Sequence, residues 1–109
     1  MVYVRLVIHR HVYFRFKDGH RSASAIAEVT QRTHEVMPKV SGVTGIDVLL
    51  PADDVARAAW DVCLTVTLAS ADVLEAYRTD PAHRQYVDEF IKPRLEVVKA
   101  WNFSPSSPT

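Results

Sequence analysis

From Val2 to Phe16 the side chains alternate with a period of two, which commits this segment to an extended strand and the rest of the chain to building a sheet around it. Val2, Val4, Leu6, Ile8, Val12, Phe14 and Phe16 share one face, and Tyr3, Arg5, His9, His11 and Arg15 the other. Arg10 interrupts the first face, while Val7 and Tyr13 make the second partly apolar. Neither face is a plain solvated one, so both need cover.

Later segments supply the elements for that cover. Asp18-Gly19 marks a turn, after which Ile26, Val29, Thr33, Val36 and Met37 recur at helical spacing behind a serine cap at Ser22 or Ser24. This helix should end near Pro38. Val43 to Leu50 is β-branched and interrupted by Gly45, a second strand with an irregular start, closed by the stretch Pro51 to Asp54. Trp60, Val62, Leu64, Val66 and Leu68 alternate with Asp61, Cys63, Thr65 and Thr67, the clearest strand of all. Ser70 caps a short helix carrying Val73, Leu74 and Tyr77. Asp80-Pro81 then starts another helix, an N-cap acid followed by proline at the first position, which should run to about Ile91. Pro93 ends it, and Leu95 to Phe103 alternates as a fourth strand.

The order strand, helix, strand, strand, helix pair, strand predicts an α+β ferredoxin-like sandwich with an antiparallel four-stranded sheet. Residues 1–103 should form the single domain and 104–109, rich in serine and proline, a disordered tail. Helices would cover one sheet face. The other, with Tyr3, Val7 and Tyr13 and with Val98 and Ala100 from the fourth strand, is best covered by a second copy, a homodimer.

Composition narrows the function classes. Thirteen Lys and Arg balance thirteen Asp and Glu, so the chain lacks the field that draws proteins onto nucleic acid or an acidic membrane. No apolar run reaches the length of a membrane span. The single cysteine, Cys63, has no internal disulfide partner, and no leader pattern follows Met1, so a cytoplasmic address is expected.

Three blocks carry a family resemblance: Arg10-His-Val-Tyr-Phe-Arg-Phe-Lys-Asp-Gly19, Leu74-Glu-Ala-Tyr-Arg-Thr-Asp-Pro-Ala-His83 and Phe90-Ile-Lys-Pro93. Over roughly residues 7–103 the chain resembles the stress-responsive dimeric α/β-barrel (Dabb) family, with Tyr77 and Pro81-Ala-His83 the most specific match. The resemblance implies a ferredoxin-like subunit whose sheet closes a barrel with a second subunit. The family spans stress proteins of no known chemistry and polyketide cyclases of the olivetolic-acid-cyclase type. In those cyclases a histidine and a nearby tyrosine run an intramolecular aldol closure without a cofactor, and His83 and Tyr77 match these two positions. The chain departs elsewhere: Arg10 and Val62 stand where the cyclases have histidines, and Thr30 where they have a tyrosine.

His83 is the third residue of its helix, beside free N–H groups and the positive end of the dipole, which disfavour imidazolium, while Asp80 opposes them. It is either a neutral base near pH 7 or part of a packing and capping motif. Tyr77 is either core with a satisfied hydroxyl or the hydrogen-bond donor to a developing enolate. Arg10, on an apolar strand face, needs an internal carboxylate or an anionic substrate group. Thr30, Val62 and Leu64 complete the expected small-molecule pocket. His9 and His11 share a face, but no third ligand has metal-site spacing, so no metal is expected. His20 and His34 read as turn and helix-surface residues, and Cys63 as an inert small side chain more than a nucleophile.

Overall fold

The computed structural model describes residues 6–106. β1 (Ile8–Phe16) is central in a four-stranded antiparallel sheet of order β2-β3-β1-β4, with β2 at Val43–Leu49, β3 at Val62–Leu68 and β4 at Leu95–Phe103. Val2 to Arg5, the beginning of the expected first strand, lie outside the described residues. Strand alternation decides what is buried: Phe14, Phe16, Val62, Leu64, Val66 and Leu68 point to one face and are almost fully enclosed. Each such side chain contributes on the order of 1.5–3 kcal/mol of burial.

The helices cover that face. α1 (Ala23–Val36) starts at Ser22, not Ser24: the Ser22 hydroxyl accepts the Ala25 N–H at 3.1 Å. Val29 and Thr33 face the core. Thr33 Oγ1 donates to the Val29 carbonyl at 2.7 Å and accepts from the Tyr86 hydroxyl at 2.6 Å, so the only polar side chain pointing inward from α1 is fully used. Burial pushes the Tyr86 pKa up to about 12, which keeps this cross-link neutral.

Three details depart from the sequence expectations. The stretch after Pro51 does not merely close β2: Asp53 caps a short α2 (Asp54–Ala59) by accepting the Ala56 N–H. Trp60, expected to open β3, instead terminates α2 and rests its ring on Tyr13, 5.5 Å between centroids. The fourth strand is also turned over. Arg15 pairs with Val97 but Phe16 with Leu95, and this irregularity places Val98 and Ala100 opposite Phe14 and Val12 on the helix side. The open face instead receives Val97, Lys99, Trp101 and Phe103. One residue of register exchanges every side chain between faces.

α3 (Leu74–Thr79) follows a 3₁₀ turn capped by Ser70, and α4 (Pro81–Gln85) begins at Asp80. The expected helix continues to Ile91, but Tyr86–Ile91 widens into a π-helical turn and Lys92–Arg94 tightens to 3₁₀ before β4. Ser104 to Ser106 adopt neither helix nor strand, and the rest of the expected tail lies outside the described residues.

Asp80 is the joint on which α3 and α4 turn. Its carboxylate accepts the N–H groups of Ala82 and His83 and, across the chain, the N–H and hydroxyl of Ser41. Beside it Gly42 adopts φ +82°, and a Cβ there would lie 2.5 Å from Val73 Cγ2, so only glycine lets the start of β2 approach this close. Those hydrogen bonds, the Ser41 N–H foremost, hold the Asp80 pKa down to about 2 from its ordinary 3.8. Between those values the unfolded chain binds more protons, so the contribution of Asp80 is complete above about pH 4 and fades as pH falls toward 2. Asp80→Ala is expected to lower stability at pH 7 by about 0.5–2 kcal/mol, the worth of an N-cap. Urea titrations at pH 7 and at pH 3 check both points, because the variant should lose less than the wild type on acidification.

Candidate active site

The joint at Asp80 sets two aromatic rings together. Tyr77 occupies the last turn of α3 and His83 the first of α4, with ring centroids 4.3 Å apart and planes inclined by 34°. Both are buried, at 5% and 9% exposure. Arg10, on the helix side of β1 between Val66 and Asn102, extends to the same place. Its Nη1 donates to Asn102 Oδ1 at 3.0 Å, and its charge acts on both the Tyr77 hydroxyl and the His83 ring. Three residues from three elements thus converge. No local sequence signal marks Asn102; only its register opposite Arg10 brings it here.

The electrostatics follow from burial. Desolvation pushes the His83 pKa down, assisted by the charges of Arg84 and Arg10 and opposed by the Arg78 carbonyl and the Asp80 carboxylate. Burial thus settles the sign that the dipole and Asp80 left open: the imidazole is neutral at pH 7. Its Nδ1 is buried with no hydrogen-bond partner among the described residues. Burial raises the Tyr77 pKa, the Arg10 guanidinium pulling the other way, so the phenol keeps its proton at neutral pH. Arg10 makes no ion pair with a carboxylate among the described residues; its partners are an amide and a phenol. In chemical terms a neutral imidazole can accept a proton, a phenol can donate a hydrogen bond and a guanidinium can hold an anion.

The remaining expected pocket residues lie elsewhere. Val62 and Leu64, paired with Phe14 and Val12, are 0% and 2% exposed and belong to the core. Thr30 does not join the trio, because α1 turns Val29 and Thr33 inward and presents Thr30 to a separate cleft beside α2. His9 and His11 lie on the open face, His11 edge-on to Phe103 at 5.6 Å. No group of three or more metal-ligating side chains occurs among the described residues. Burial pushes the Cys63 thiol pKa up, with Tyr13 opposing, which leaves little thiolate for nucleophilic attack. His20 sits in the 3₁₀ turn after β1, and His34 is exposed on α1. No helix among the described residues is long and apolar enough to cross a membrane.

Residues 8–105 match the model of the stress-responsive A/B barrel domain, Dabb. The chain belongs to the Dabb family. Among solved structures, this Dabb domain is similar to a Dabb-family protein with a ferredoxin-like fold from Mesorhizobium loti, at 18% identity and TM-score 0.80, over 94% of this chain and 100% of that one. A protein from Arabidopsis thaliana gives 17% identity and TM-score 0.78 over 94% and 98% of the two chains. A dimeric ferredoxin-like protein of unknown function from Thermobifida fusca gives 18% and 0.75 over 96% of each. These likenesses establish the ferredoxin-like α+β fold of the Dabb domain. No curated protein matches the chain significantly.

Proposed function

We propose that this Dabb domain is a cofactor-independent enzyme that removes a proton next to a carbonyl of a small, polyketide-like acid and closes a ring by an aldol-type step. The observation that carries this reading is the meeting of Arg10, Tyr77 and His83 around a histidine that burial keeps neutral. His83 takes the α-proton, and the Tyr77 hydroxyl donates to the enolate oxygen. The enolate carbon then attacks a second carbonyl of the same molecule, forming the carbon–carbon bond, and the resulting alkoxide recovers the proton from the imidazolium. Arg10 holds the carboxylate of the substrate. Its half-buried position beside the exposed Asn102 makes the Arg10 side the outer edge of the site. Val62 and Leu64 share that sheet face but are enclosed in the core and take no part in holding the substrate.

We further place two such domains face to face. The open sheet side carries Tyr13, Trp101 and Phe103, and Trp101 and Phe103 are 52% and 57% exposed, a concentration of apolar surface that a second copy would cover. The dimeric Thermobifida fusca relative supports this arrangement. A cytoplasmic address suits a chain whose lone thiol, Cys63, forms no disulfide.

One observation favours a second reading, a non-catalytic barrel in which Tyr77 and His83 are only a packed pair: both rings are largely enclosed. Deuterium exchange separates the two readings. Short 3,5-dioxo acids incubated with the protein in D₂O should lose α-protons faster than in buffer alone, followed by NMR. No acceleration would leave the packing role. Arg10→Met adds a second arm. With no carboxylate left unpaired, the variant should keep or gain thermal stability while binding of the acid weakens about tenfold or more, the scale of a lost charge-assisted hydrogen bond. A loss of several kcal/mol in stability, as when a buried pair is broken, would make Arg10 structural.

A further inference from the structure

A second concavity lies at the other end of the sheet. Asp61, at the start of β3, accepts the Phe16 N–H at 2.8 Å, which anchors this region at the far end of β1. Phe16 is six residues from Arg10, about 20 Å along a strand that rises ~3.3 Å per residue. The cleft, of about 900 Å³, opens between α1 and α2. Its walls are Ala23, Ile26, Ala27, Leu50, Pro51 and Trp60. Ala23 and Ala27 stand one turn apart on α1, and their small side chains leave the hollow that larger residues would fill. Trp60, whose ring also contacts that of Tyr13, gives the cleft an aromatic wall.

The charged groups around this cleft are matched with one another. Arg21 bonds Asp61 through Nε at 3.2 Å and lies 3.5 Å from Asp18, while Arg57 pairs with Asp54 at 3.0 Å. A charged ligand entering the cleft would therefore have to displace a carboxylate or guanidinium already paired there to offset its lost hydration. Thr30 spends its proton on the Ile26 carbonyl at 3.0 Å, leaving the hydroxyl oxygen as an acceptor on the cleft wall. We propose that the cleft between α1 and α2 is a ligand site separate from the Arg10–Tyr77–His83 cluster, taking an uncharged, mainly apolar molecule with one hydroxyl or N–H donor. That donor meets Thr30, and the apolar body lies against Trp60. The inference does not depend on the enzymatic reading, because no residue is shared.

Two dyes that differ by one charge test it. N-phenyl-1-naphthylamine is neutral, apolar and carries an N–H; 8-anilinonaphthalene-1-sulfonate has the same rings with an added sulfonate. In the full chain with Trp101→Phe, which leaves Trp60 as the only tryptophan, the neutral dye should brighten and quench Trp60 with one site per chain. The sulfonate should bind more weakly by about tenfold or more, since its charge would be desolvated without a free partner. Ala27→Phe, and independently Ala23→Leu, should fill the hollow and weaken the neutral dye by about tenfold or more, the loss of a few buried methylene equivalents. Arg10→Met and Tyr77→Phe should leave its binding unchanged. Equal binding of both dyes, undiminished binding in both filled variants, or loss in the Arg10 and Tyr77 variants would each overturn the proposal. So would binding that appears only on dilution to monomer, which would make a second copy of the chain the occupant of the cleft.

Discussion

His83→Gln is expected to leave a folded protein whose turnover falls by about 10²–10⁴-fold, the usual contribution of a general base. Glutamine nearly preserves the size of the ring and fits a site where Nδ1 makes no hydrogen bond to the described residues, so little packing is lost. What disappears is the ability to accept and return a proton near neutrality. The pH profile carries a second expectation. Because burial and the Arg84 and Arg10 charges push the His83 pKa down, the wild-type rate should rise with pH through a limb centred below the range of a free imidazole and then level off. That limb should be missing from the variant. The same shift bears on stability. Folded His83 binds its proton less readily than the unfolded chain does, so acidification through this range favours unfolding in the wild type and less so in the variant. Turnover that survives His83→Gln on an identified substrate would remove the residue from the chemistry.

Tyr13→Asp is expected to break the assembly. Tyr13 lies in the middle of the open face, its ring 5.5 Å from Trp60 and 6.2 Å from Trp101. In a face-to-face dimer a carboxylate there would be taken out of water without a partner, an effective penalty of several kcal/mol per ion. Light scattering at micromolar concentration should show a dimer for the wild type and a monomer or aggregate for Tyr13→Asp. Tyr13→Phe, which keeps the ring, should remain dimeric. A monomeric wild type would show that the aromatic face has some other cover.

The central strand, β3, α1 and the Asp80-Pro81 helix start were legible because each is specified by signals a few residues apart: alternation, helical spacing and capping chemistry. α2 was not legible. It buries none of its residues, and Val55 is 82% exposed, so it carries no apolar stripe and rests on polar contacts: the Asp53 cap, the Arg57–Asp54 pair and the hydrogen bond from Arg15 to the Ala58 carbonyl. The π-helical turn at Tyr86–Ile91 escaped for a related reason. Its side-chain pattern is helical, and the widening of the backbone is a matter of how Phe90 and Ile91 seat in the core.

For the candidate site, the residue types were legible and their meeting was not. Tyr77 and His83 are six positions apart across a cap that can be read directly, yet Arg10 reaches them only because β1 lies between β3 and β4 under the α3–α4 joint. Thr30 could not be separated from that group by spacing, since facing the sheet or facing α2 depends on which stripe of α1 the core takes up. In β4, Val97 and Val98 are both apolar, so alternation alone did not distinguish the two faces, and the irregular pairing at Arg15 and Phe16 decided between them. Element type, helix caps and the family resemblance were thus determined by the amino-acid sequence itself, because their causes act over a turn or two of chain. The sign of the His83 shift, the partners of Arg10 and the residues on the open face were decided by the tertiary structure, because desolvation and strand register exist only once distant segments have packed together.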